Sequence, residues 1–351
     1  MTDYRHPIRI DQKVLPGLKT GPDLSVLTDD PAGCHLLKFQ PITFVHAYGL
    51  LGSSPQRFGT DLQLYLATAN SFFQWHAKTT QIHLSLSQVT TTDAKRRLSE
   101  DLGVALASLF MVAAFGVTWD TIAQIPLNKK LGAKRPDFES FDVADNRYLF
   151  EAKGTTALAQ VEKALHKAIG QVKQYPESAL SKLAIVSYLA ADERLFPSQS
   201  FVVDPIALPD TVPPTSDIAR LLHGEKLFEF AGLPRTAAAY IRALAAHLRQ
   251  EQSAGISALA PRDPVLSGIF QGERQTEGVR EIEYEGRAYL GRTVATGDAG
   301  SSLLFGVASE KLQHLLLMTP AEPSEAASGR DGVETASQFD DGSIVMIIPP
   351  K

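Results

Sequence analysis

The chain has 351 residues with 44% hydrophobic and 21% charged side chains, which excludes a disordered protein and predicts a globular one of two or three domains. Its formal net charge of −5 argues against a protein that coats nucleic acid without regard to sequence. The single cysteine, Cys34, excludes an internal disulfide and a cysteine-based zinc site, and fits a reducing, cytoplasmic setting.

The first residues, Met1-Thr2-Asp3-Tyr4-Arg5, lack the basic-then-apolar pattern of a signal peptide. Residues 1–90 read as a mixed α/β region: Leu36–Leu50 is apolar and β-leaning, Asp61–Phe73 fits a helix, and Gln81–Val89 alternates as a strand does. His46, His76 and His83 are scattered there without a second ligand at helix or hairpin spacing, so they are expected to be packed or solvated rather than metal-binding.

The pattern sharpens over residues 91–195. Thr92-Asp93 is placed to cap a helix running through Lys95, Arg96 and Arg97 into Leu98–Ala114, stopped at Gly116. Its uncharged stretch, Leu102–Trp119, is as long as the shortest membrane span. It lacks anchors on both sides and passes straight into a strand, which predicts a core helix and no membrane association. Val117–Leu127 and Arg135–Val143 read as strands. The turn residues Ala144-Asp145-Asn146-Arg147 lead to a third strand over Tyr148–Lys153. A helix is predicted from Gly154-Thr155-Thr156 to Tyr175, ended by Pro176, and Leu183–Leu189 is an apolar run suited to a central strand. The order is helix, three strands, helix, strand.

Residues 196–351 read as an α+β region. Phe196–Pro214 is proline-rich and reads as a connector, Asp217–Gln252 as mostly helical, and Arg280–Val294, Leu303–Val307 and Ile344–Ile348 as strands. The Ser-, Gly- and Glu-rich stretch Pro320–Asp341 is expected to be disordered.

Chemistry gathers on Pro136-Asp137 and Glu151-Ala152-Lys153. Alternation along a strand puts Glu151 and Lys153 on one face and Ala152 on the other. Two carboxylates beside a lysine suit hydrolysis of a phosphodiester, in which acids hold a hard divalent cation and the lysine offsets charge building on phosphate. An acid-x-lysine triplet alone carries no weight. An aspartate, a hairpin, an acid-x-lysine, a helix and an apolar strand in that order form a rarer conjunction.

That conjunction resembles the PD-(D/E)XK nuclease superfamily over roughly residues 93–190. The resemblance implies an α/β fold with a restriction-endonuclease-like core, αβββαβ, whose mixed central sheet is flanked by helices, with α+β flanking regions. It further implies that Asp137 and Glu151 hold Mg²⁺, with Mn²⁺ able to substitute, that the backbone carbonyl of Ala152 is a further ligand, and that Lys153 positions the attacking water. Several branches add a helix glutamate. Glu100, an acid two residues before Leu102, fits that pattern and is the residue implied to assist the pair or bind a second metal ion, although a helix wheel puts Asp101 nearer the apolar face of Leu98, Leu102, Ala105 and Leu109. Gln171 and Tyr175 match the glutamine-x-x-x-tyrosine signature of exonuclease-type members, at a spacing that shares one helix face, which implies that both position the substrate strand. Lys163, Lys167 and Lys173 lie on the same segment. The glutamine-x-lysine spelling of Mrr-like enzymes fits Gln171-Val172-Lys173, but no strand aspartate precedes it at hairpin distance.

The expected activity is therefore metal-dependent cleavage of nucleic acid, DNA in preference to RNA, in a setting such as bacterial restriction or anti-phage defence. No phosphate-binding loop, dinucleotide fingerprint, serine elbow or His-Glu-x-x-His helix occurs. A nucleotide-driven motor would be a separate subunit, and a homo-oligomer is the other partner expected. Lys95, Arg96, Arg97, Lys129, Lys130, Lys134 and Arg135 are candidates to track a phosphate backbone.

Overall fold

In the computed structural model, residues 3–10, 14, 27–29, 35–52, 72–78, 80–87, 89–125, 135–194, 197–205, 216–233, 279–295, 302–310, 336–339 and 341–348 are described. The chain divides into two units, Met1–Ser53 with Thr68–Ser216, and Ser54–Ala67 with Asp217–Lys351. In the first unit the elements are β1 (Tyr4–Ile10), β2 (Leu27–Asp29), β3 (His35–Phe39), α1 (Pro41–Ala47), β4 (Phe73–His76), β5 (Gln81–Leu84), α2 (Thr92–Phe115), β6 (Ala123–Gln124), β7 (Phe138–Phe141), β8 (Arg147–Thr155), α3 (Val161–Gln174), β9 (Ser181–Tyr188) and β10 (Gln199–Val203). The second contains α4 (Ser216–Phe230), β11 (Val279–Tyr284), β12 (Arg287–Ala295), β13 (Ser302–Ala308), β14 (Ala336–Gln338) and β15 (Ser343–Ile348).

The first unit is an α/β fold on one mixed eight-stranded sheet, ordered β2-β3-β1-β10-β9-β8-β7-β6. The pairs β8/β9 and β1/β10 are parallel. Parallel pairing of β8 with β9 requires a crossover, which α3 supplies. The expected succession of helix, three strands, helix and strand is present as α2, β6–β8, α3 and β9.

Helix α2 is capped by Thr91, whose hydroxyl accepts a hydrogen bond from the Ala94 amide at 3.3 Å, one residue before the cap expected from sequence. It ends where Gly116 turns left-handed at φ 62°. Although α2 is long and apolar enough to cross a membrane, 72% of its most apolar window is buried inside the fold. It lies against β8 at a crossing made by two glycines. A Cβ on Gly154 would stand 1.5 Å from the Ser99 carbonyl oxygen, and one on Gly103 would stand 2.8 Å from the Gly154 nitrogen. Gly154 belongs to the face of Phe150 and Ala152, so α2 covers that face. On the other face Val161 and Ala168 of α3 pack with Ala184, Val186 and Tyr188 of β9.

Several expected boundaries move. Position 90 is not a domain boundary, because β1 pairs with β10 and β10 with β9, joining residues 1–90 to the sheet that carries β6–β9. Buried polar bonds hold that junction: Tyr4 donates to Glu193 Oε1 at 2.5 Å, and His6 Nε2 meets Ser200 Oγ at 2.8 Å. Position 195 is not one either, since the stretch read as a connector contains β10. Leu36–Leu50 is β3 followed by α1, because Pro41 at the first helical position favours a helix start. The first core strand shrinks to Ala123–Gln124, and Val117 makes only an isolated bridge to Asp142. β8 runs on to Thr155, so α3 begins at Val161 rather than at Gly154.

The second unit carries an antiparallel five-stranded sheet, β11-β12-β13-β15-β14, and α4, as an α+β reading requires. Buried His223 on α4 meets Asp341 at 2.7 Å, and Asp341 accepts the Ser343 amide at 2.7 Å at the start of β15. Of the loop expected over residues 320–341, residues 336–338 form β14 and the remainder of 320–335 lies outside the described residues. Of the helix expected over Asp61–Phe73, residues 61–71 lie outside the described residues and Phe73 instead begins β4; of the helical stretch expected over Asp217–Gln252, residues 234–252 also lie outside them.

The glycine crossing gives a direct test. Gly154→Ala must push α2 off the strand and is expected to lower stability by about 3 kcal/mol. Gly170→Ala, on α3 with nothing within 4 Å of the added carbon, should stabilise by roughly 0.5–1 kcal/mol. Denaturant midpoints of the two variants read both signs.

Candidate active site

The β7–β8 ladder pairs Phe138 with Phe150 and Glu139 with Leu149. The two phenylalanine rings stack, 5.2 Å between centroids and 14° between planes, on the face covered by α2. One step further along the same register, Asp137 stands opposite Glu151 on the opposite face, where directly opposed residues have Cβ atoms about 5 Å apart. The Asp137 carbonyl accepts the Ile125 amide at 3.0 Å, which fixes the backbone entering β7.

Glu151 is 0% exposed. Burial holds its carboxyl above the ordinary 4.5, at about 8; the Asp137 carboxylate adds to the rise, and the Lys153 ammonium works against it. Lys153 Nζ donates to Glu151 Oε1, and its side chain is 21% exposed, so it bridges the buried acid and solvent. Glu151 Oε2 is buried with no donor. When both carboxylates are ionised that oxygen is orphaned against a second negative charge. A proton shared with Asp137 relieves it, and so would a cation between the two.

A hard divalent cation fits this donor set. Mg²⁺ is commonly held by one or two carboxylates with water completing its shell. Asp137 and Glu151 supply two, and the orphaned Oε2 is the atom such an ion would satisfy. Among the described residues no group of three or more His, Cys, Asp or Glu is gathered for a metal. Ala152, named by the resemblance as a carbonyl ligand, has its side chain buried on the α2 face between Glu151 and Lys153.

The remaining expected residues divide. Glu100 is exposed on α2, one residue from the Ser99 carbonyl that meets Gly154, while Asp101 is half-buried. The charges acting on Glu151 come from Asp137 and Lys153, so Glu100 sits near the strand end without joining the carboxylate pair. Gln171 donates from Nε2 to the Arg135 carbonyl at 3.1 Å, and its Oε1 is buried without a partner. Tyr175 does not share its helix face. It follows the last helical residue with φ −77° and ψ 120°, the extended conformation that a residue before proline favours, and its ring packs with Ile125 and Leu149. Lys163, Lys167 and Lys173 are exposed on α3, as are Arg96 and Arg97 on α2, with Lys95 half-buried. Arg135 bonds the Ile125 carbonyl, and Lys129, Lys130 and Lys134 lie outside the described residues.

Sequence reasoning missed a second charged group on the same face. Arg147 reaches Glu139 Oε2 at 2.6 Å and Glu177 at 2.8 Å, and Lys182 donates to the Tyr175 carbonyl at 2.7 Å. Burial pushes the Glu139 carboxyl up while Arg147 opposes that rise. The available signal was parity, because Asp137 and Glu139, like Arg147 and Glu151, are an even number of residues apart within one hairpin. His76 and His83 are also closer than their spacing suggested, sharing one face of the β4–β5 hairpin with ring centroids 5.5 Å apart. Compared with protein families, curated proteins and solved structures, the chain matches none of them.

The raised Glu151 carboxyl has a pH signature. The folded protein keeps this proton up to about pH 8, whereas an unfolded glutamate loses it near 4.5. Folding therefore takes up a proton between those values, and this contribution to stability declines as pH rises through that window. In chelator, Glu151→Gln should melt several degrees above wild type at about pH 8.5 and close to it at about pH 5. Parallel melting profiles for the two proteins would remove the coupling.

Proposed function

We propose that the chain is a metal-dependent phosphodiester hydrolase acting on nucleic acid, with α2, β6–β8, α3 and β9 serving as a restriction-endonuclease-like core. The supporting observation is the pairing of buried Glu151 with partly buried Asp137, with one orphaned oxygen and a partly exposed lysine attached. A purely structural ion pair of Glu151 with Lys153 would have no need of a second carboxylate beside it.

In this reading Asp137 and Glu151 hold a Mg²⁺ ion, for which Mn²⁺ can substitute. The ion, when bound, supplies the Lewis acidity that polarises a phosphoryl oxygen and lowers the pKa of water. Glu151 must first release its proton, so binding is favoured as pH rises. Lys153 sits where its ammonium, freed from part of its pairing with Glu151, can donate to a phosphate oxygen or orient the attacking water. Gln171 holds the strand entry that carries Asp137. Tyr175 belongs to the core that supports β8 rather than to the substrate. DNA is the substrate proposed, and restriction or defence the setting, both resting on the resemblance of motifs.

Incubation with plasmid, single-stranded DNA and RNA in Mg²⁺ or Mn²⁺ tests the activity. Wild type should cleave DNA, and Asp137→Asn, Glu151→Gln and Lys153→Ala should each lose about 100-fold or more in rate. In parallel, Mg²⁺ should raise the melting temperature of wild type and not of Asp137→Asn or Glu151→Gln, since only a bound ion stabilises by mass action. A wild type that is inert and unmoved by either metal would overturn the reading.

A further inference from the structure

The β4–β5 ladder pairs Gln74 with His83 and His76 with Gln81, so these four side chains share one face of the hairpin. Phe73, Trp75, Ile82 and Leu84 share the other. That second face carries the packing: Leu84 is buried, and Phe73 lies 5.1 Å from Tyr4 and 5.3 Å from Phe44 between ring centroids. The first face is polar. His76 and His83 stand on it diagonally across the two strands, both half-buried, so an ion in solution can reach them.

The chain leaving β9 adds a carboxylate to the same face. Ser85 bridges Asp192 in antiparallel register, where the Leu86 amide bonds the Ala191 carbonyl at 2.8 Å and the Glu193 amide bonds the Leu84 carbonyl at 3.2 Å. Ser85 lies two residues beyond His83, so alternation puts it, and Asp192 opposite it, on the histidine side. The Asp192 carboxylate is close enough for its charge to act on the His83 ring. It is held by Arg194, whose Nε donates to its two oxygens at 2.9 and 3.0 Å, and an ionised carboxylate has further lone pairs to offer.

Imidazole suits Zn²⁺ and the neighbouring transition ions, whereas Mg²⁺ takes oxygen ligands. Two imidazoles on one tetrahedral Zn²⁺, with bonds of about 2.0–2.1 Å, have ring centres about 5 Å apart. The rings of His76 and His83 are 5.5 Å apart and nearly perpendicular, at 89°. The strands therefore hold the two rings at the separation a shared ion requires. We propose that the histidine face of the β4–β5 hairpin binds a divalent transition-metal ion of the zinc class through His76 and His83. Among the described residues no third His, Cys, Asp or Glu is gathered with them, so water completes the shell and Asp192 balances the charge from outside it. Such an ion ties the two strands of the hairpin together beside the bridge that fastens them to the chain after β9. The site shares neither residues nor ligand chemistry with the Asp137–Glu151 pair, and it stands whether or not that pair is catalytic.

Zn²⁺ titrated calorimetrically into the full chain, freed of metal with chelator and then dialysed, should bind saturably. Glu151→Gln should keep that binding. His76→Gln and His83→Gln should each weaken it by about 100-fold or more, Asp192→Asn by about tenfold, and Gln74→Ala, on the same face, by less than about twofold. Zn²⁺ should also raise the melting temperature of wild type and not of the two histidine variants, whose own melting in chelator shows whether they fold. A measurement on wild type needs no substitution: paramagnetic Co²⁺ should broaden the ring-proton resonances of two of the nine histidines before the others. No saturable Zn²⁺ binding, or affinity equal to wild type in both histidine variants, overturns the proposal. Loss of binding in Glu151→Gln with both histidine variants unaffected overturns it as well, because the ion is then held at the carboxylate pair.

Discussion

The site depends on the register of β7 against β8. Phe138 and Phe150 stack directly across the ladder on the face beneath α2. Because side chains alternate, the register that joins those rings also sets Asp137 opposite Glu151 on the reverse face. A slip of one residue would turn one strand's acids into the apolar layer under the helix. The stack is thus a packing interaction whose consequence is electrostatic. The sequence Glu151-Ala152-Lys153-Gly154 works on both faces in the same way. Glu151 and Lys153 face the site, while Ala152 and Gly154 are small enough for the α2 backbone to settle on the strand.

Two charged groups share that face, and they differ in how completely their polar atoms are paired. In the first, Arg147 meets Glu139 and Glu177 with its guanidinium, and also bonds the Ser178 carbonyl at 3.3 Å. Its buried members are paired and hydrogen-bonded, as a stable buried network must be. The group joins the β7–β8 hairpin to the chain that follows α3. In the second, Glu151 is fully buried, has one cationic partner and one carboxylate neighbour, and retains an oxygen without a donor. Burying such an arrangement costs free energy that nearby side chains do not return. A closed network explains itself by folding. A few residues along the same strands the second network is left open at Glu151 Oε2.

The legible part of the fold was what local pattern determines. Thr91 and Gly116 bound α2 nearly where its periodicity predicted, and the turn chemistry of residues 144–146 sits between β7 and β8, with Asp145 left-handed at φ 58°. The triad was legible because Asp137, Glu151 and Lys153 lie within one hairpin. What failed to show was long-range pairing. Nothing local in Tyr4–Ile10 announces a partner near residue 200, yet β1 pairs with β10 and carries β2 and β3 into the sheet. The same limit hid the charge pairing of Arg147 and the meeting of His76 with His83, since each needs a strand register before spacing has meaning.

Helix α3 shows how a spacing read from sequence can carry a different geometry. A glutamine and a tyrosine four apart share a face only while the helix lasts, and Pro176 forces Tyr175 into the extended region one residue too soon. The tyrosine ring is thereby free to enter the layer of Ile125 and Leu149, and its carbonyl receives Lys182. Gln171, still helical, reaches the Arg135 carbonyl two residues before Asp137. Arg135 in turn bonds the Ile125 carbonyl, and the Ile125 amide bonds the carbonyl of Asp137. These bonds form a closed brace from α3 through the strand entry to the aspartate. The helix therefore acts on the site through this brace, by fixing where Asp137 stands relative to Glu151.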